Sequence, residues 1–157
     1  MKRKGAGSSF LVLLVFGLFA VTSLFLVMIG ANVYKNTVKN TDQNNELRAS
    51  LNYVVNKIRA NDVKGGVSVE EIDGYEVICL RRTYDGEDYC TYLYYDEGAL
   101  KESFVDVSYG FHPDEGDEVV KTHGFAASQD ASGAVTVTVT GEDGGKMNAV
   151  VTPRSAQ

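Results

Sequence analysis

The sequence contains no tryptophan, and it has only two prolines, two cysteines and two histidines in 157 residues. Two cysteines cannot make a four-cysteine zinc site, and two histidines far apart in the sequence make a weak metal site. The G-x-S-x-G, phosphate-loop and H-E-x-x-H motifs that mark common catalytic sites do not occur. The sequence therefore predicts a protein that is not an enzyme and that uses no cofactor.

Charge is also missing from a long stretch near the N-terminus. No charged residue lies between Lys4 and Lys35, and no acidic residue precedes Asp42. Within this interval, residues 10–30 read FLVLLVFGLFAVTSLFLVMIG. A helix of this length, rising about 1.5 Å per residue, is about 30 Å long and matches the hydrocarbon core of a bilayer. The sequence predicts a transmembrane helix over residues 10–30.

A cleaved export signal and a buried core helix are the two alternatives to a permanent anchor. A cleaved export signal has a shorter apolar core followed by a small-x-small site, and Ile29-Gly30-Ala31 matches that site poorly. A buried core helix is disfavoured because a domain of this size has little room for a helix that is apolar on all sides. We therefore expect the run to remain in the membrane.

The charges on either side of the run predict its orientation. Three cations lie in a short basic leader, residues 1–9, whereas all 21 acids and the other 12 cations follow residue 30, giving that part a formal charge of −9. Positive flanks favour the cytoplasmic side. We expect a cytoplasmic N-terminus and a domain outside the membrane, whose acidity argues against a nucleic-acid partner.

Residues 31–62 contain neither proline nor glycine. Their apolar residues follow helical spacing and define a stripe, here called the helical stripe: Leu47, Leu51, Val54, Val55 and Ile58. The pattern predicts an amphipathic helix that continues the transmembrane helix, with a bend near Thr41–Asn45 because asparagine is a poor helix former. Lys64-Gly65-Gly66 is expected to end it.

From Val67 onward, short β-prone runs alternate with turn residues, which predicts an antiparallel β-meander over residues 67–152 and a tail over 153–157. Strands are expected at 75–82, 89–95, 99–105, 106–111, 118–126, 134–140 and 147–152. The alternating run AVTVTVT places three valines on one face. The valine face and the helical stripe can each be buried by packing against the other. The predicted fold class is therefore α+β, with the helix packed on the sheet through Leu47, Leu51, Val54 and Ile58.

Cys79 and Cys90 lie on two successive predicted strands. If Asp85-Gly86 is a two-residue hairpin loop, position 79 faces position 92, and the two cysteines are diagonal neighbours on one face. A disulfide is possible in an exported domain. Two free, buried cysteines are the alternative, and the sequence leaves both open.

The histidines, two acidic runs and a group of tyrosines are the remaining residues that could form sites. His112 and His123 are expected to be solvated, and the acidic runs at 85–88 and 114–118 lack the spacing of a calcium loop. Five tyrosines crowd one hairpin and favour either a contact surface or ordinary strand packing: Tyr84, Tyr89, Tyr92, Tyr94 and Tyr95.

The layout resembles the type IV pilin-like proteins, in particular the minor pseudopilins of pilus, type II secretion and competence machines. A short KRK leader precedes a glycine, a transmembrane helix runs into an amphipathic helix, and antiparallel strands follow, with the hairpins YLYYDEGALKESF and GAVTVTVTGEDGG. The resemblance implies a location in the bacterial cell membrane, leader processing at Gly5 or Gly7, and other pilin-like subunits as partners through transmembrane helix packing.

One feature departs from the family pattern. Processing after Gly5 or Gly7 places Phe10 or Val12 at the fifth position, where the family carries a glutamate. Some minor pseudopilins proposed to sit at a filament tip also lack this glutamate, so the resemblance implies a non-catalytic minor subunit. The alternative is a single-pass, membrane-anchored, extracytoplasmic binding module of unknown ligand.

Overall fold

A computed structural model describes residues 6–153, without the side chains of residues 6–8, 40, 42 and 43. The described residues form one helix and eight strands: α1 (Ala6–Ala60), β1 (Val67–Ile72), β2 (Tyr75–Tyr84), β3 (Glu87–Asp96), β4 (Ala99–Asp106), β5 (Asp117–Lys121), β6 (Gly124–Gln129), β7 (Val135–Thr140) and β8 (Lys146–Val151). The chain divides into two compact units, Met1–Thr41 and Asp42–Gln157.

Helix α1 begins at Ala6, before the predicted start at residue 10, and ends at Ala60, two residues before the predicted end. Residues 41–45, where the sequence predicted a bend, are assigned as helix. The last turn carries Lys57 and Arg59, which complement the partial negative charge at a helix C-terminus. The Ala60 carbonyl also accepts a hydrogen bond of 2.6 Å from Arg82 Nη2, which ties the helix end to β2.

The first sheet contains β1 to β5 in chain order, with every neighbouring pair antiparallel. Its first three hairpins close through two-residue loops whose residues all have positive φ: Asp73 and Gly74 (51° and 84°), Asp85 and Gly86 (51° and 89°), and Glu97 and Gly98 (49° and 84°). Positive φ at both positions is the type I′ geometry that suits the twist of adjacent strands. These turns fix the register of the sheet.

The predicted antiparallel strands follow one another in chain order, and they divide into two sheets. The strand expected at 118–126 is interrupted at Thr122-His123, and β6 begins a second sheet of order β6-β7-β8. Thr122 joins the sheets: its amide donates to the Gly98 carbonyl at 3.0 Å and its hydroxyl to the Thr140 carbonyl at 2.9 Å. At Gly124 a Cβ would lie 3.2 Å from the Thr140 side chain, so glycine permits the close approach of β6 to β7.

One core joins the helix to both sheets. The helical stripe is buried together with Val135, Val137 and Val139 of β7 and with inward residues of the first sheet, Ile78, Leu80, Leu93 and Leu100. Leu47 and Leu51 are 7% exposed, while Val54 and Ile58 are fully buried. The predicted α+β architecture, with an amphipathic helix packed on antiparallel strands, is confirmed.

The strand predicted at 106–111 does not form. β4 ends at Asp106, whose carboxylate accepts a hydrogen bond of 2.7 Å from the Ser108 amide, an Asx turn that redirects the chain. Residues 107–116, here called the covering segment, then pack over the face of the first sheet opposite the helix. Phe111 of this segment packs against the buried residues of that face.

A polar contact also fixes the helix on the first sheet. Glu102 of β4 accepts hydrogen bonds from the Tyr53 hydroxyl at 2.5 Å and from Lys57 Nζ at 2.6 Å. Partial burial and the bond to Glu102 raise the pKa of Tyr53. Only 18% of the Glu102 side chain is exposed, so this carboxylate is a partly desolvated acceptor for two side chains of one helical face.

We expect Glu102→Gln to lower the free energy of unfolding by about 1–2 kcal/mol, because it removes the charge that strengthens both hydrogen bonds. The measurement is urea unfolding of the full chain in detergent, followed by near-ultraviolet circular dichroism. Glu70→Gln is the matched control: its partner Arg81 is 52% exposed, so we expect a change below about 0.5 kcal/mol. Equal losses in the two variants would contradict a special role for Glu102.

Candidate functional site

The largest exposed apolar surface is the N-terminal half of α1. Every large apolar side chain from Phe10 to Ile29 is at least half exposed. In the described part of the chain, this is the one helix long and apolar enough to cross a membrane. Exposure of this kind is tolerated when lipid or other helices replace water. The chain therefore carries one candidate membrane span at its N-terminal end.

Small residues give this helix places for close approach by another helix. Among the described residues, a Cβ added at Gly17 or Gly30 meets no atom within 4 Å beyond the adjacent helix backbone, so internal packing there does not require glycine. The polar interruption at Thr22 is satisfied locally, since its hydroxyl donates to the Phe19 carbonyl at 2.9 Å. Small residues and satisfied hydroxyls are typical of helix contacts within membranes.

The two predicted processing positions, Gly5 and Gly7, lie at the N-terminal end of the chain. Gly5 lies outside the described residues, and Gly7 is the second residue of α1, where only the helical assignment is described.

Strands β2, β3 and β4 together present an exposed aromatic patch, which consists of Tyr84, Tyr89 and Phe104. The Tyr89 and Phe104 rings are stacked at 5.2 Å, and Tyr84 contacts both edge-on at 5.9 and 6.4 Å. Tyr84 is 46% and Phe104 57% exposed. The patch lies on the same face as the helix, next to Arg82, which spans from Tyr84 to the helix end.

The other predicted tyrosines have different surroundings. Tyr92 and Tyr94 point to the opposite face and are buried, whereas Tyr95 is half-buried. The crowded tyrosines therefore divide between the two faces: Tyr84 and Tyr89 lie in the exposed patch, and Tyr92 and Tyr94 lie in a buried core. Strand alternation accounts for the division, because residues 89 and 92 point to opposite faces.

The buried face forms a second cluster, here called the back cluster: Val77, Cys79, Cys90, Tyr92 and Tyr94. Phe111 of the covering segment inserts among its aromatic rings, 4.8 Å from Tyr94 and 5.3 Å from Tyr92. The Tyr94 hydroxyl donates to the Pro113 carbonyl at 2.9 Å. A Cβ at Gly116 would come within 2.0 Å of the same hydroxyl oxygen, so glycine is required where the segment turns past Tyr94.

Cys79 and Cys90 lie side by side in the back cluster as free thiols. The register pairs Cys79 with Tyr92 and Cys90 with Arg81, so the cysteines are diagonal neighbours, as the hairpin loop predicted. Both are fully buried. Hydrogen-bonding contact with Cys90, together with burial, raises the pKa of the Cys79 thiol, while the same contact lowers the pKa of Cys90.

The histidines and acidic runs show no joint arrangement within the described residues. His112 and His123 are exposed, and no three His, Cys, Asp or Glu side chains there are grouped to hold a metal ion. Glu115 of one acidic run accepts a hydrogen bond of 2.9 Å from Tyr109 within the covering segment. That carboxylate therefore stabilises a loop.

Sequence reasoning missed the covering segment and the acceptor Glu102. Phe111 follows a strand in a β-prone run, and nothing local distinguishes it from a strand residue. Glu102 is one of many acids, although its alternation with Leu100 and Phe104 places it on the helix-facing side. That alternation was the one available signal.

Comparison with known proteins assigns the chain to a family. No curated protein and no solved structure matches the chain. One family model matches residues 45–142, from the packed half of α1 to the turn after β7. Since this range covers more than half of the 157 residues, the chain belongs to the family described as domain of unknown function, DUF4860.

Proposed function

We propose that this protein is a non-catalytic, pilin-like minor subunit, or pseudopilin, of a type IV pilus, type II secretion or competence-type assembly. It is anchored in the bacterial cell membrane with its N-terminus in the cytoplasm and its β domain outside. The observation that supports this proposal is α1 itself: one helix, Ala6–Ala60, is exposed and apolar at one end and packed into a β domain at the other.

This arrangement suits a subunit that assembles through its helix. Among the described residues, the large apolar side chains of the first half are at least half exposed, while the second half is packed into the β domain. When such helices leave the lipid and bundle, packing between small residues drives the association. The acidic β domain then forms the outer part of the assembly. The partners would be other pilin-like subunits with helices of the same kind.

Leader processing provides the first test. We expect the intact mass of the protein, purified from membranes of its own host, to correspond to a chain starting at Ala6 or Ser8. Gly5→Val and Gly7→Val are the matched pair, and only the variant at the processed glycine should retain the leader. A retained KRK leader would favour the static anchor, and a start near Asn32 would mean that the apolar run is an export signal.

Helix packing provides a second test, measured by cross-linking between subunits. Gly17→Leu leaves the packing of the β domain unchanged, because a Cβ at Gly17 meets no described atom within 4 Å beyond the adjacent helix backbone. We expect it to reduce cross-linking to neighbouring pilin-like subunits while the β domain keeps its unfolding midpoint. Undiminished cross-linking would contradict close approach at Gly17.

The exposed aromatic patch supports a second candidate function, a membrane-anchored binding module. Tyrosine and phenylalanine are enriched in protein interfaces, and Arg82 adds a donor beside them. This function requires no processing and no helix partner. A retained leader together with unchanged behaviour of Gly17→Leu would therefore move it ahead of the pilin-like subunit.

A further inference from the structure

Strand β8 forms an open edge of the second sheet. Within the described residues its one neighbouring strand is β7, and the register between the two runs from Lys146 to Val151 without a bulge. β8 contains no proline, and its one charged residue is Lys146, at the start of the strand. A regular edge strand with little charge offers its main chain to another strand.

The other edges of the two sheets carry protection. In β5, three of the five residues are charged, and a bulge interrupts its register with β4. In β1, the Val67 carbonyl accepts a hydrogen bond of 3.4 Å from the Gln129 side chain. In β6, the Ala127 amide donates to the Glu76 carboxylate at 3.1 Å. Charges, bulges and covering side chains keep strand edges from pairing, so β8 is the edge best suited to strand addition.

The hydrogen-bond pattern decides which main-chain groups of β8 face outward. Gly141 and Gly145 continue the register of β7 with β8, and the Gly141 amide donates to the Gly145 carbonyl at 2.8 Å. Bonded pairs recur at every second residue of an antiparallel ladder, so residues 147, 149 and 151 bond to β7. The N–H and C=O groups of Lys146, Asn148 and Val150 therefore point to the open edge.

We propose that β8 pairs antiparallel with β8 of a second copy of this chain, with Asn148 opposite Asn148. This register places Lys146 of each copy opposite Val150 of the other. The outward residues of the two strands then exchange about six main-chain hydrogen bonds. The three-stranded sheets of the two copies become one continuous sheet. This pairing involves only the β domain and does not rest on the proposed function.

The side chains of β8 complement one another in this register. Lys146 meets Val150, which is 62% exposed, and the two lysines lie about 14 Å apart, beyond the screening length of about 8 Å at physiological salt. The two Asn148 amides lie opposite each other and can exchange hydrogen bonds. On the other face Met147 meets Ala149, and both are half-buried against the core, so the pairing extends an apolar layer. A second copy therefore fits this edge without a like-charge contact.

Cysteine cross-linking of the full chain in detergent tests the register. A single strand pair is a small interface and gives a weak dimer, which oxidation to a disulfide captures. We expect Asn148→Cys to form covalent dimers at least about tenfold faster than Glu71→Cys, an exposed control on the edge strand β1. Lys146→Cys and Val150→Cys should not dimerise alone, because like positions lie about 14 Å apart, but should cross-link when mixed. The unsubstituted chain gives the background of its two buried cysteines.

A charge exchange tests the same contact through side chains that are exposed in the fold. In the Asn148→Cys chain, Val150→Lys places a second cation opposite Lys146 of the other copy. We expect cross-linking to slow about tenfold, because like charges then face each other across the strands. Adding Lys146→Glu restores opposite charges and should return the rate to within about twofold. The unfolding midpoint should be the same in all three chains, because the substituted positions are on the surface.

Three results would overturn the proposal. The first is an Asn148→Cys chain that cross-links no faster than Glu71→Cys. The second is a Val150→Cys chain that cross-links alone as readily as Asn148→Cys, since this would mean contact without a register. The third is a cross-link from Asn148→Cys, in membranes of the protein's own host, to a different protein and not to a second copy. None of these results bears on leader processing or on helix packing at Gly17, so failure of this pairing and failure of the proposed function are distinguishable.

Discussion

Leu51→Asp is expected to unfold the β domain. Leu51 lies at the centre of the helical stripe, 7% exposed, in the core that joins α1 to both sheets. An aspartate there has no cation among its apolar neighbours, so the native state must either bury an unpaired charge or expose the core. The expected loss exceeds about 4 kcal/mol, which is comparable with the whole stability of a small domain.

The measurement is the urea unfolding curve of the full chain in detergent, together with resistance to a protease. Asn52→Asp is the matched control, since it places the same charge one residue away on the exposed side of the helix. We expect it to change stability by less than about 0.5 kcal/mol. Leu51→Met, which keeps volume and polarity, should cost less than about 1.5 kcal/mol. A normal unfolding curve for Leu51→Asp would refute the packing of α1 on the sheets.

Tyr94→Ala is expected to have the second largest effect, about 3–5 kcal/mol. Tyr94 is the largest fully buried side chain, and Tyr75 and Phe111 pack edge-on against it at 6.1 and 4.8 Å. Truncation leaves a cavity between the first sheet and the covering segment. It also leaves the Pro113 carbonyl without its hydrogen-bond donor. The covering segment should therefore become sensitive to protease even where the rest of the domain stays folded.

Tyr94→Phe separates the two contributions, because it removes only the hydroxyl. We expect a loss of about 1 kcal/mol, the typical value for one hydrogen bond. Tyr84→Ala is the exposed control, and its cost should be below about 1 kcal/mol. If Tyr94→Ala proved no more harmful than Tyr84→Ala, the back cluster would not be a second core. Cleavage sites mapped by mass spectrometry would show whether the change is confined to residues 107–116.

The parts of the fold that the sequence predicted are governed by local chemistry. The hairpins follow from the loop residues Asp85-Gly86 and Glu97-Gly98, whose positive φ dictates the turn type and with it the register. The diagonal relation of the cysteines followed from the same loop. The helical stripe was predicted because helical periodicity is visible within a dozen residues.

The parts of the fold that the sequence did not predict depend on contacts between residues that are far apart in the sequence. One strand was predicted over residues 118–126, and its break at Thr122 arises from the hydrogen bonds of Thr122 to Gly98 and Thr140. Phe111 leaves the strand pattern because Tyr75, Tyr92 and Tyr94 form a pocket for its ring. For the crowded tyrosines, the sequence left open an exposed surface or ordinary strand packing. The sequence does not show which face of the sheet α1 covers, so it could not decide between the two.

The core that joins α1 to β7 has a consequence for the order in which the domain is made. The helical stripe ends at Ile58, and its partners in β7 extend to Val139, roughly 80 residues later. At a synthesis rate of about 5–20 residues per second, the stripe is complete about 4–16 seconds before β7 exists. The hairpins of the first sheet close between near neighbours and can form in that interval. During that time the first sheet can cover only its own share of the stripe, and the part of the stripe that meets β7 stays exposed until the last hairpin forms.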